Sequence, residues 1–170
     1  MIDKKNLGFF RELVSTPSPS GFESPAQEVV KNYLKPYADS ILQDRNGNLI
    51  AHKKGSGKLK VMVVGHADEI GMIVNYIDES GYVYVRTLGG FDVNLLPGLR
   101  LDIHHQGKIV KGVIGKKPVH MLRGGDDNPK LKLEDLWIDI GAANKEEALT
   151  KVSIGDIITF TNEIVMLSED

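Results

Sequence analysis

The sequence predicts an α/β unit of about 70 residues followed by a small antiparallel β-domain of about 90 residues. Two amphipathic helical patterns and a hairpin signal come first, and the apolar run Val61–Val64 follows them. Four consecutive apolar residues are typical of a central strand that is covered on both faces. After Gly71 the pattern changes to short β-rich runs between turns, which favours a barrel or sandwich. We therefore expect the boundaries 1–70, 71–162 and 163–170, the last being a strand that returns to the α/β unit.

The first unit is predicted to begin with two helices and a hairpin. Asp3 predicts the N-cap of the first helix, which the prolines of Thr16–Gly21 then end. Ser24 is predicted to be the N-cap of the second helix. A proline follows it directly, and a glutamine follows three residues after it, which is the capping-box spacing. The dipeptide Asn46-Gly47 is a strong signal for a tight hairpin turn. The expected hairpin strands are Ile41–Gln43 and Leu49–His52.

The β-domain is predicted from short β-rich runs that are separated by glycine-containing turns. The clearest runs are Met72–Ile77, Tyr82–Leu88, Arg100–His104, Lys108–Ile114 and Ile157–Thr159. Trp137–Gly141 predicts another strand, and Asn144–Leu149 predicts a short capped helix. An exposed, mobile loop is expected at Arg123–Lys130, because this stretch contains two glycines, two aspartates and a proline. Glu163–Leu167 reads as the final strand.

Composition excludes several classes of function. The chain has 170 residues, 41% hydrophobic and 26% charged, which is an ordinary composition for a soluble globular protein. The net charge is −2 without a basic stripe, so no nucleic-acid partner is expected. The absence of cysteine excludes disulfides, thiolate metal sites and a cysteine nucleophile. No apolar run reaches membrane-spanning length, so we expect no membrane partner and a cytoplasmic location.

Metal-binding side chains follow the apolar run Val61–Val64 directly. Gly65 permits a close backbone approach, and His66 and Asp68 point to the same side of an extended chain because they are two residues apart. Ligands of open α/β sheets lie just beyond the carboxyl ends of the strands. His66 is therefore a candidate metal ligand, and Asp68 a carboxylate that orients it. The alternative is a strand end with ordinary polar residues, because one histidine is never a complete metal site.

The other polar candidates favour structural roles. His104 and His105 are adjacent in a predicted strand, so they face opposite ways and are expected at solvent or at an interface. Glu69 points away from His66 in an extended chain and is expected to stabilise the structure. The remaining residues, for which surface or structural roles are expected, are His52, His120, Asp126 and Asp127.

Seven motifs occur in order along the chain, and together they are far more specific than any one of them. They are Thr16–Glu23, Asp44–Ile50, His66–Gly71, Leu96–Arg100, Gly112–His120, Ile138–Ala142 and Ile154–Asp156. In these motifs the chain resembles the N-terminal half of the dinuclear metal aminopeptidases of the glutamyl and tetrahedral aminopeptidase family, M42, some members of which are labelled endoglucanase.

The resemblance implies an aminopeptidase-type catalytic α/β domain that is interrupted by an inserted β-barrel or sandwich, the dimerisation domain. It implies that His66 is a metal ligand and that Asp68 is a catalytic residue behind it. It further implies two divalent ions, zinc or cobalt, which activate a water and polarise the peptide carbonyl. Peptide substrates that lose their N-terminal residue, and homo-oligomers built through the β-domain, are also implied.

The resemblance covers only part of the family's active site, since the general base and most metal ligands of the family correspond to positions beyond Asp170. We therefore expect the chain to be inactive alone, with weak or absent metal binding, and a companion C-terminal half is a possible partner. A non-catalytic assembly module or one half of a split enzyme is the alternative. An endoglucanase is disfavoured, because Asp68 and Glu69 face opposite ways and cannot flank one glycosidic bond.

Overall fold

The computed structural model describes residues 3–118, 130–161, 164, 165 and 167. These residues form two compact units. One comprises the described residues of Met1–Glu69 and Asn162–Asp170, and the other those of Ile70–Thr161. No helix within these described ranges has the length and apolar character needed to cross a membrane.

The first unit contains two helices and a hairpin. Its elements are α1 (Lys4–Ser15), α2 (Ser24–Leu34), β1 (Ser40–Gln43) and β2 (Leu49–His52). Asp3 caps α1 as predicted, since its Oδ1 accepts a hydrogen bond from the backbone N–H of Asn6 at 2.8 Å. The rings of Phe9 and Tyr33 stack at 3.8 Å and join α1 to α2. The predicted hairpin is present, with β1 and β2 antiparallel and Gly47 at φ +87° in the turn.

The start of α2 differs from the prediction by one residue. Ser24 is the first residue of the helix, and its N-cap is Glu23, whose side chain makes no capping hydrogen bond. The helix can begin before Pro25 because the N–H that proline lacks would have no intrahelical partner in the first turn. The carboxylate of Glu23 instead accepts a hydrogen bond from the backbone N–H of Gly21 at 2.7 Å.

The prediction that Val61–Val64 is a buried central strand is wrong. These four residues have no regular secondary structure, and they are 78 to 92% exposed. A strand needs a neighbour for its backbone N–H and C=O groups, and among the described residues no strand pairs with this run. An apolar pattern marks residues that favour burial, but it does not show whether a neighbouring strand exists to pair with them.

The predicted strand Glu163–Leu167 is not observed where it can be assessed, since Ile164, Val165 and Leu167 are not in a strand. The cause is the same, because no described strand pairs with them. Its other residues lie outside the described residues. The loop predicted at Arg123–Lys130 also lies outside them, except for Lys130.

The second unit is a closed antiparallel barrel of six strands, which confirms the predicted small β-domain. The strands are β3 (Gly71–Ile77), β4 (Val83–Leu88), β5 (Arg100–His105), β6 (Lys108–Lys116), β7 (Leu136–Asp139) and β8 (Ile157–Phe160). Their order around the barrel is β3-β4-β7-β6-β5-β8, and β8 pairs with β3 to close it. Closure gives each barrel strand a neighbour on both sides.

The core of the barrel is aliphatic and follows from the alternation of side chains along each strand. On β5, Leu101 and Ile103 are buried, whereas Arg100 points outwards and is exposed. The short helix α3 (Lys145–Lys151) covers part of the barrel and buries Ala148 in the same core. The side chain of Asn144 caps α3 as predicted, since its Oδ1 accepts a hydrogen bond from Glu147 N at 2.9 Å. The strands and α3 of this unit therefore pack around a single hydrophobic core.

Gly112 on β6 marks a close approach of β6 to β7. A Cβ atom at this position would lie 2.5 Å from Cγ2 of Ile138, which is itself buried. Isoleucine is branched at Cβ and stiff, so Ile138 cannot move aside without disturbing the core. The barrel therefore requires glycine here for a steric reason.

We expect Gly112→Ala to lower the free energy of unfolding of the barrel by about 1–3 kcal/mol, the usual effect of overpacking a core. Urea unfolding monitored by the fluorescence of Trp137, the chain's one tryptophan, measures this. The matched control is Gly90→Ala, because a Cβ atom there meets nothing within 4 Å and the backbone φ is ordinary. Equal stabilities of the two variants would contradict the observed packing of β6 against β7.

Candidate metal site

His66 and Asp68 form a hydrogen-bonded pair in the segment that precedes the barrel. Nδ1 of His66 lies 3.0 Å from Oδ1 of Asp68 and 2.9 Å from its backbone oxygen. Both partners are acceptors, so Nδ1 carries the proton and donates it. Nε2 then keeps its lone pair, and the ring is 85% exposed. The pair thus has the arrangement in which a carboxylate fixes the tautomer of a metal-binding histidine.

The second carboxylate oxygen of Asp68 is also engaged. The hydroxyl of Ser20 donates a hydrogen bond to Oδ2 at 2.5 Å, although the two residues are 48 positions apart. This bond, followed by the one from the His66 ring, holds the pKa of Asp68 below its usual range. Asp68 is therefore an ionised acceptor at neutral pH, with one oxygen directed to Ser20 and the other to His66.

Glu69 anchors the loop that carries Ser20. Its backbone N–H donates to the carbonyl of Ser18 at 2.9 Å, and its Oε1 accepts from the backbone N–H of Ser18 at 2.8 Å. Pro19 and Glu69 form an isolated parallel bridge beside these contacts. The expectation of a structural role for Glu69 agrees with these contacts. The link from the loop to Asp68 was missed, because the sequence offers no local signal for a contact across 48 residues.

The residues present fit part of a metal site. Within the described ranges, no three or more His, Asp or Glu side chains gather to hold an ion. His66 offers one nitrogen, and both oxygens of Asp68 already accept hydrogen bonds. A zinc ion takes three or four protein ligands, whereas the described residues offer one candidate ligand, His66, with the carboxylate of Asp68 behind it.

The other histidines lie elsewhere. His104 and His105 were expected at solvent or at an interface, and His105 does not lie at solvent. Its Nδ1 lies 2.8 Å from Oδ2 of Asp156, and both side chains are largely buried. Nε2 of His104 lies 2.9 Å from the hydroxyl of Thr159. These contacts bind β5 to β8 and to the turn before it, so they hold the barrel together. His52 is exposed as expected, and His120, Asp126 and Asp127 lie outside the described residues.

Comparison with known proteins identifies the family. The profile of the M42 glutamyl aminopeptidase family matches residues 47–170. The lysyl aminopeptidase of Pyrococcus furiosus is 35% identical over 162 residues, which cover 94% of this chain and 46% of that protein. The matched region includes both His66 and Asp68.

Solved structures agree with this assignment. The TET aminopeptidase from the marine sediment archaeon Thaumarchaeota archaeon has a TM-score of 0.91 at 32% identity, covering 97% of this chain and 47% of that one. The TET1 peptidase of Pyrococcus horikoshii, which is described as assembling into a tetrahedron or a large octahedral shell, has a TM-score of 0.81 at 33% identity. It covers 95% of this chain and 48% of that one.

The chain spans a little less than half of the length of each of these relatives. Within that span it has the same fold as the N-terminal region of the TET aminopeptidases, including the small β-domain. The family profile covers well over half of the chain. The chain therefore belongs to the M42 glutamyl aminopeptidase family.

Proposed function

We propose that this chain is the N-terminal part of a metal-dependent aminopeptidase that removes N-terminal residues from peptides. The observation that carries the proposal is the pairing of Nδ1 of His66 with Asp68, which leaves Nε2 exposed and free to bind an ion. The family supports the activity, because its relatives include a lysyl aminopeptidase.

His66 is proposed as a metal ligand and Asp68 as the catalytic residue that orients it. When bound, two divalent ions would supply the activated water and polarise the peptide carbonyl. The ionised Asp68 keeps the proton of His66 on Nδ1, so that Nε2 presents its lone pair. An imidazole nitrogen suits zinc and cobalt, the metals we propose.

Peptide hydrolysis at this site would require further metal ligands and a general base, in addition to the described residues. One nitrogen ligand is too few for a zinc ion, and the carboxylates of Asp68 and Glu69 already hold Ser20, His66 and the backbone of Ser18. We propose that a companion C-terminal half supplies the missing ligands and the base. The same half would supply the strand neighbours that the exposed run Val61–Val64 lacks.

Two other functions fit the contacts less well. Glycoside hydrolysis needs two carboxyl groups that face one bond. Asp68 contacts His66 and Ser20, whereas Glu69 holds the backbone of Ser18, so the two carboxylates serve different partners. A pure assembly module would explain the closed barrel of Ile70–Thr161, but it would give no reason for the exposed His66–Asp68 pair.

We expect the 170-residue chain to bind zinc weakly, because one ligand cannot hold an ion tightly. Isothermal titration calorimetry with zinc chloride should show no tight equivalents, and His66→Ala should remove the weak binding. His52→Ala is the matched control, since His52 is exposed and lies away from Asp68 in the chain. Two tight equivalents of zinc per chain would contradict the proposal.

We expect peptide p-nitroanilides to be cleaved only when the chain is combined with its companion half, and cellulose not to be cleaved at all. In the combined protein, His66→Ala should reduce cleavage to background. Asp68→Asn should reduce it about 10–100-fold, the usual cost of losing the carboxylate behind a metal-binding histidine. Cleavage that is unchanged in His66→Ala would rule out the assigned role of this residue.

We also propose that the chain forms homo-oligomers through the outer face of the barrel. On β6, Ile109 and Val113 point outwards and are 55% and 45% exposed, with Lys111 between them. Lys111 is paired with Asp102 on β5 at 2.8 Å, so its charge is already compensated. A two-fold axis near Lys111 would place Ile109 against Val113 of a second copy, which gives a self-complementary contact.

Light scattering at several concentrations should therefore show a dimer or a defined larger assembly. The double variant Ile109→Asp and Val113→Asp should become monomeric, because it places charge in the apolar contact. Val63→Asp in the exposed run of the other unit is the control, and it should keep the assembly. A monodisperse monomer for the unchanged chain at high concentration would refute the proposal, and so would assembly that survives the double variant but not Val63→Asp.

A further inference from the structure

We propose that Ser20 is a positioning residue for His66 that acts through Asp68. The Ser20 hydroxyl holds Oδ2 of Asp68, so that Oδ1 remains on Nδ1 of His66 and Nε2 remains presented to a metal ion. The inference rests on the proposed metal role of His66 and extends it to a residue 46 positions earlier in the chain.

The orientation of the His66 ring depends on one partner. The ring is 85% exposed, and its hydrogen bonds to described residues all go to Asp68. The terminal torsion of an aspartate is broad, so a carboxylate held at one oxygen can rotate. A second hydrogen bond, from Ser20 to the other oxygen, restricts that rotation. Ser20 therefore contributes to the direction in which Nε2 points.

The backbone around Ser20 is fixed by a tight turn. Phe22 N donates to the carbonyl of Pro19 at 2.7 Å, and Gly21 has φ +89°. This is the pattern of a type II turn, in which Ser20 occupies the second position and glycine the third, where φ is positive. The turn presents the Ser20 side chain in one direction.

Hydrogen bonds from Glu69 hold this turn beside Asp68. Glu69 makes two hydrogen bonds with the backbone of Ser18, and Pro19 is fully buried next to it. Glu69 directly follows Asp68, so the same short segment carries the carboxylate and anchors the loop that restrains it. Ser20 and Asp68 are thus kept at hydrogen-bonding distance by contacts that do not involve their own side chains.

The tautomer of His66 in the metal-free 170-residue chain tests this role. Proton–nitrogen correlation spectra of histidine-labelled protein at about pH 8 separate the two tautomers of the neutral ring. The His66→Ala spectrum assigns the signals. Ser20→Ala should lower the ratio of the Nδ1–H form to the Nε2–H form about 2- to 12-fold, the factor that corresponds to one hydrogen bond.

Two variants distinguish positioning from a general effect on the loop. Ser20→Thr keeps a hydroxyl and should restore the unchanged ratio. Ser18→Ala removes a hydroxyl from the same loop but leaves the backbone contacts to Glu69, so it should also keep the ratio. An unchanged ratio in Ser20→Ala, or the same drop in Ser18→Ala, would overturn the proposal.

Zinc chloride added to the same samples separates this proposal from the proposed function. A shift of the His66 nitrogen signals in the unchanged chain supports the metal role of His66, and no shift argues against it. The tautomer ratio decides the role of Ser20 in either case. Where zinc does bind, Ser20→Ala should weaken its binding at His66 about 10-fold, the lower end of the effect of groups behind a ligand.

Discussion

Backbone hydrogen bonding between strands is the constraint on which the rest of this structure depends. A strand persists only where its N–H and C=O groups find partners. In Ile70–Thr161 the barrel meets this requirement by closure, because β8 pairs with β3 on one side and with β5 on the other. Closure also turns one side of each strand inwards, which gathers the aliphatic residues into a single core. The order of the barrel therefore needs nothing from outside the unit.

The unit that carries the site meets the same constraint only in part. Its hairpin strands β1 and β2 pair with each other, and the apolar run Val61–Val64 remains exposed. His66 and Asp68 follow this run, so no strand fixes their positions. Hydrogen bonds from the loop Thr16–Glu23 fix them instead, through Ser18 to Glu69 and through Ser20 to Asp68. The geometry of the site thus depends on a few hydrogen bonds to this loop rather than on a sheet.

The same distinction explains what could be predicted from sequence. The barrel strands follow from alternation and turn residues, which are local properties, and their predicted positions agree with the structure to within a few residues. The pattern of Val61–Val64 is equally clear, but it gives no information on whether a neighbouring strand exists. The contact of Ser20 with Asp68 and that of His105 with Asp156 join residues 48 and 51 positions apart. Neither has a signature in local sequence.

Orienting an imidazole and holding a metal ion are separate physical tasks, and the described residues provide for them to different degrees. Orientation needs only a hydrogen bond on Nδ1 of His66 and a restrained carboxylate, and both are present among the described residues. Holding an ion needs several donors around one point, which these residues do not provide. Because the orientation is already set, further ligands would not have to order the imidazole as well, and that reduces the entropy lost on binding. The described residues therefore contain the contacts that orient His66, but not the set of donors that would hold an ion.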